Sequence, residues 1–110
     1  MPPVVPAPAP AETALPEQRI SVRHEPERRR FVLDVGGRRA GFVEYFETGA
    51  RRVFVHTEVG QIFSGRGLAS VLVRSALETT REERREVAAV CPFVRRWLES
   101  HEGFEDIAPL

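Results

Sequence analysis

The residues best equipped for chemistry in this sequence are His56, Glu58 and Cys91, together with the glycines Gly65 and Gly67. His56 titrates near neutrality, which suits a proton acceptor, and Glu58 stands two positions further along a run of strand formers, so the two share a face. Both are candidates for a general base; both also read as ordinary strand residues, the histidine hydrogen-bonded and the glutamate solvated. Cys91 directly precedes Pro92, a residue that favours the first turn of a helix, so its sulfur sits where the helix dipole stabilises thiolate. A single cysteine after an apolar run is also a small buried hydrophobe. His101 falls at the end of the last helical pattern, where it suits a cap rather than catalysis.

The stretch HTEVGQIFSGRG, from His56 to Gly67, reads as a strand that leaves through a glycine turn and opens directly into a helix. Backbone N–H groups at such a junction lack intrahelical partners and converge on one point, which makes an anion cradle. Gly65-Arg66-Gly67 alone also fits a tight turn that binds nothing. Its flanks meet the strand–loop–helix requirement, with Val53-Phe54-Val55 upstream and Leu68, Val71, Leu72, Ser75 and Ala76 at helical spacing downstream. The chain contains no lysine, lacks a Gly-Lys-Ser/Thr ending and lacks the three-glycine dinucleotide fingerprint. What remains is a pyrophosphate held by backbone amides, with Arg66 as a guanidinium fork.

Several elements must position these groups. Ile20, Val22 and His24 alternate with polar residues, which predicts a strand over 19 to 24 closing at Glu25-Pro26. A second strand over Phe31 to Val35 stops at Gly36-Gly37, a hairpin signal; a third covers 40 to 47, and a fourth runs from Arg51 to about Glu58. Short turns make these an antiparallel meander. A helix from Gly67 to about Arg81 follows, then a short buried strand, Val87 to Val90, expected parallel to the fourth, and a last helix carrying Phe93, Val94, Trp97 and Leu98 on one side. The tail to Leu110 is expected to add one short segment. The fold class is therefore α/β, a mixed sheet with a cleft where the two parallel strands splay at their C-terminal ends. The glycine loop, Glu58 and Cys91 border that cleft.

Composition bounds the rest. The chain has 110 residues, and six of its nine prolines fall between Pro2 and Pro16, which predicts a disordered Pro/Ala-rich tail over 1–18 and one domain over 19–110. Sixteen arginines balance sixteen acids, which argues against a nucleic-acid partner. Arg28-Arg29-Arg30 reads as a solvated hairpin turn. No segment reads as a secretory signal or a membrane span, so a cytoplasmic protein, a monomer or weak homodimer, is expected. One cysteine and three histidines without metal-ligand spacing give no metal site.

In order, His56-Thr57-Glu58-Val59, Gly65-Arg66-Gly67-Leu68, Cys91-Pro92-Phe93-Val94, and His101 with Phe104 resemble the small GCN5-related N-acetyltransferases of the YjdJ type, over about residues 19 to 107. The resemblance implies a short acetyltransferase fold that binds acetyl-coenzyme A, as co-substrate, through Val59, Ser64, Gly65, Arg66, Gly67, Leu68, Ala69 and Cys91. The superfamily's pyrophosphate loop, Gln/Arg-x-x-Gly-x-Gly/Ala, maps onto Ile62 to Gly67, with Ile62 where glutamine or arginine is usual. The resemblance also implies a polarising backbone N–H near Val59 and a cysteine near the cofactor sulfur, as acetyl-cysteine nucleophile or proton donor. Larger relatives use a tyrosine acid on the last helix; Tyr45, the only tyrosine here, lies on a predicted strand. The expected activity is acetyl transfer to an amine, small molecule or peptide, with no nucleic acid or membrane partner. A non-catalytic CoA or acyl-CoA binding module, or a plain interaction domain, are the alternatives.

Overall fold

A computed structural model describes residues 19–109; the proline-rich segment and Leu110 lie outside the described residues. The expected meander is present as β1 (Ile20–Glu25), β2 (Arg30–Val35), β3 (Arg38–Thr48) and β4 (Arg51–Val59). Helix α1 (Leu68–Glu82) then crosses to β5 (Glu86–Ala89), which pairs parallel to β4, and α2 (Pro92–Ser100) follows. The five strands lie in the order β1-β2-β3-β4-β5. The β2–β3 turn needs positive φ at both central residues, and Gly36 and Gly37 supply it at 59° and 79°. At the β1–β2 corner Arg28 and Arg29 are exposed as expected, but Arg30 enters β2 and donates to Glu25 at 2.6 Å.

Both helices pack on one face of the sheet. Phe31, Leu33, Val43, Tyr45 and Phe54 from the strands meet Leu68, Leu72, Val73, Ala76 and Leu77 of α1 and Val94 and Trp97 of α2 in a single core. Of the stripe foreseen along α1, Leu68, Leu72 and Ala76 are buried with Val73 and Leu77, while Val71 falls on the solvent side of the helix and is exposed. The C-terminal tail forms a turn rather than a further regular element. Phe104, Ile107 and Ala108 fold into the core, and the Ile107 carbonyl accepts the Val87 N–H at 2.8 Å, which covers part of the outer edge of β5.

A buried arginine organises the end of the sheet where β4 begins. Arg52 is 2% exposed and donates to Glu47 at 2.7 Å, Glu83 at 2.6 Å and Thr80 at 3.2 Å, with its guanidinium 4.4 Å from the Tyr45 ring centre. Tyr45 shares a 2.6 Å hydrogen bond with His24, which stacks on Phe31. This network joins β1, β3, β4 and the end of α1. Because the Glu47 and Glu83 carboxylates reach solvent, removing Arg52 leaves them hydrated, and the loss is mainly packing and the buried hydrogen bond. Arg52→Met is expected to cost about 2 kcal/mol in denaturant unfolding.

Burial, and then the Arg52 guanidinium, hold the His24 imidazole below its ordinary pKa, against the pull of Glu83 and Glu47. The unfolded chain therefore takes up this proton first. The stability contributed by neutral His24 is present above a pH of about 6.5 and is lost as pH falls toward the folded-state value. Between about pH 7.5 and pH 5.5 the native protein should lose more stability than His24→Gln; equal losses would show that His24 does not carry the effect.

Candidate active site

One extra residue in β4 shapes the working end of the sheet. The β3–β4 register runs Thr48↔Arg51 to Tyr45↔Phe54 and then resumes at Glu44↔His56, which leaves Val55 as a β-bulge. A bulge shifts the phase of every side chain that follows it. Arg52 and Phe54 face the helices; beyond the bulge it is Thr57 and Val59 that do so. His56 and Glu58 lie on the opposite face, with His56 Nε2 3.2 Å from Glu58 Oε2 and its ring 6.0 Å from that of Phe42. Both are well exposed.

The parallel ladder ends just before the bulge. Phe54 is opposite Ala89, and its carbonyl accepts two N–H groups, from Val90 and Cys91, each at 2.9 Å. There β5 stops and the chain turns into α2, while β4 continues to Val59 with β3 on one side and no strand on the other. In an antiparallel ladder alternate residues turn both backbone groups to the same neighbour. Gly60 donates to Ala40 at 2.7 Å, so Glu58 and His56 face β3, and Thr57 and Val59 turn their N–H and C=O groups toward the gap left by β5. Cys91, buried at the root of this gap, lies with its sulfur 3.3 Å from the Thr57 hydroxyl oxygen. Cys91 thus borders the gap as expected, whereas Glu58 turns its backbone to β3 and its side chain to the opposite sheet face, because the bulge reverses the phase of the strand.

The gap leads to the glycine loop. After a single turn over Gln61–Phe63, Ser64 donates its hydroxyl to the Gln61 carbonyl at 2.7 Å, and Gly65 and Gly67 take left-handed φ of 75° and 72°. Gly67 caps α1 with no side chain, and the first helical bond is Val71 N–H to its carbonyl at 3.3 Å. The N–H groups of Leu68, Ala69 and Ser70 therefore have no partner among the described residues. The buried Leu68 side chain anchors this turn. A groove of about 280 Å³ runs beside it, bounded by Val59, Ser64, Gly65, Gly67, Leu68 and Ala69 and closed by Phe63 and Phe93. Of the residues expected to bind the co-substrate, these six share the groove; Arg66 is exposed beside it and Cys91 lies at the root of the strand gap. Ile62 is 70% exposed.

An open strand edge leading to a cluster of unpaired N–H groups fits an elongated ligand with amides along one arm and phosphates beyond, as coenzyme A has. Sequence reasoning missed Thr57, the partner of Cys91, because only the bulge turns it inward. It also missed Phe42, which the register sets across from Glu58.

A four-stranded meander, a glycine-opened crossover helix and a fifth strand diverging from the fourth define the acetyltransferase fold of the GCN5 type. The family model for GCN5-related N-acetyl-transferase matches residues 30–107, and the chain belongs to that family. It is similar to Protein NATD1 of Bos taurus, 30% identical over 99 residues covering 86% of this chain and 88% of the relative. Protein NATD1 of Xenopus tropicalis is 30% identical over 88 residues, covering 78% and 81%. In fold it resembles a GCN5-like putative N-acetyltransferase from Staphylococcus aureus, with a TM-score of 0.63 at 21% identity over 80% of this chain and 86% of the other. The ribosomal-protein-alanine N-acetyltransferase of Brucella melitensis gives 0.53 at 19% identity, over 67% and 59%. Among the described residues no helix is long and apolar enough to cross a membrane, and no cluster of potential metal ligands occurs.

The loop glycines separate strain from crowding. A Cβ at Gly67 would meet nothing within 4 Å, so Gly67→Ala should cost only the left-handed backbone penalty, about 1 kcal/mol. A Cβ at Gly41 would lie 2.3 Å from the Glu58 carbonyl oxygen, so Gly41→Ala must push β3 and β4 apart and should cost about 3 kcal/mol. Denaturant unfolding of the two variants checks the order.

Proposed function

We propose that this chain is an acetyl-CoA-dependent N-acetyltransferase whose acceptor amine approaches from the sheet face opposite the helices. The observation that carries the reading is the open backbone edge of Thr57 and Val59, beside Cys91 and continuous with the unpaired N–H groups of α1. Acetyl-CoA supplies a thioester: the amine nitrogen bonds to the acetyl carbon, the C–S bond breaks, the amine gives up a proton and the departing sulfur takes one.

The roles divide between the gap, where Val59 and Cys91 lie, and the outer face of β4, where His56 and Glu58 lie. The Val59 N–H, free of a strand partner, is the donor for charge that builds on the carbonyl oxygen. His56 takes the amine proton, and Glu58 beside it stabilises the imidazolium that forms. Cys91, at the start of α2 and the root of the gap, gives the proton to the leaving sulfur. Tyr45 takes no part: it is held in the Arg52–His24 network, where burial raises its pKa. The N–H groups of Leu68 and Ala69, with Ser64 and the glycines Gly65 and Gly67, hold the pyrophosphate, and Arg66 screens its charge.

Calorimetry with CoA and acetyl-CoA tests the binding half; absence of heat at about 1 mM ligand would remove the whole reading. For the catalytic half, His56→Ala and Cys91→Ala should each lower kcat by about a hundredfold with CoA affinity retained. Tight CoA binding without turnover of any amine would instead favour a non-catalytic CoA-binding module.

A further inference from the structure

A second hollow, of about 220 Å³, opens on the sheet face away from the helices. It is bounded by Arg39, Phe42, Glu58, Val59 and Gly60. Val59 borders both this hollow and the groove at the start of α1, so the two meet at the residue whose N–H faces the gap. Nothing in the sequence marks Arg39 and Phe42 for this role; the β3–β4 register brings them to the hollow, with Phe42 directly across from Glu58.

The chemistry of the lining is specific. Glu58 and the neighbouring His56 offer a negative charge and a base. Arg39 is exposed and stands across the ladder from Asp34, whose carboxylate is taken by Arg23; Arg39 itself has no ion pair among the described residues, so its guanidinium can take a carboxylate through two parallel hydrogen bonds. Phe42, across from Glu58, supplies an apolar surface to the same hollow. A polyamine would bring its second cation against Arg39, and an amide or ester would leave that guanidinium unpaired.

We propose that this hollow is the acceptor site and that the acceptor is an α-amino acid. Its amine lies toward Glu58 and His56, its carboxylate on Arg39, and an apolar side chain against Phe42. The assignment rests on the acetyltransferase reading above and narrows its acceptor to one chemical class.

The probes are leucine, leucinamide and spermidine, each added to isotope-labelled protein already saturated with CoA and followed by NMR, with acetyl-CoA turnover measured in parallel. Leucine should shift the backbone signals of Phe42 and Gly60, and both its affinity and its kcat/KM should exceed those of leucinamide by about tenfold or more, the effect of one charge-assisted pair. Arg39→Ala should close that gap, and Arg39→Glu should reverse it in favour of leucinamide and spermidine. If CoA binds but leucine shows no preference over leucinamide, or shifts signals elsewhere, or Arg39→Glu leaves the preference as it was, the acceptor assignment falls while the CoA site stands. If CoA itself does not bind in the preliminary calorimetric titration, both fall together.

Discussion

The carbonyl of Phe54 is the point on which the working end of this molecule turns. It accepts two N–H groups from the end of β5, Val90 and Cys91, and with those bonds the parallel ladder is closed. The next residue, Val55, is the bulge. A strand that lost its neighbour without a bulge would still present Arg52, Phe54 and His56 to the same face, and the histidine would be directed toward the helices. The extra residue reverses that phase. Thr57 and Val59 then face the helices with their backbone groups open to the gap, while His56 and Glu58 look out from the other face. One inserted residue thus gives β4 two functional faces, one toward the α1 groove and one toward the second hollow.

For that geometry to hold, α1 must stay fixed relative to β4, because the orphan N–H groups are on the helix and the open edge is on the strand. The chain ties the two at both ends. At the start of α1 the connection is the short glycine loop, with Leu68 anchored in the core. At its end Arg52 of β4 reaches Thr80 within the helix and Glu83 just beyond it. Arg81 adds a third restraint through Asp106, which holds the C-terminal turn against the helix. A buried ion pair is weak evidence for stability, since desolvation offsets much of the attraction. What Arg52 contributes here is register: a guanidinium aimed at fixed acceptors on two elements defines how the helix lies along the strand.

The fold was largely legible in the sequence. Alternation marked β1 to β4, Glu25-Pro26, Gly36-Gly37 and Gly49 marked the turns, and the shift from a period of two to a helical period marked α1. The residues that line the groove were also accessible, because glycines between a strand and a helix have a direct physical meaning. The bulge was not. Val55 is a β-branched residue in the middle of a strand, with no glycine or proline beside it, and nothing local distinguishes it from its neighbours. Arg52 was hidden for a similar reason: nothing in the residues beside it marks it for burial, which follows from acceptors 28 and 31 positions away. Thr57 became visible only through the bulge. Long-range pairing decides these residues, and local patterning carries no trace of it.

The relation between Thr57 and Cys91 follows from the same constraint. Cys91 lies just past the end of β5, capping α2, and Thr57 lies in the strand that continues, and they meet at 3.3 Å where the two paths begin to diverge. The sulfur is not free to choose its place, because the N–H of the same residue is bound to the Phe54 carbonyl and the following proline commits the chain to α2. The hydroxyl is equally constrained, since the bulge determines which face Thr57 takes. Two side chains positioned by backbone bonds need no long flexible arm to reach the gap. In a domain whose last helix has no tyrosine, a cysteine at the helix start reaches the end of the parallel ladder through one carbon. The position of the sulfur is therefore set by the place where β5 ends and not by the length of a side chain.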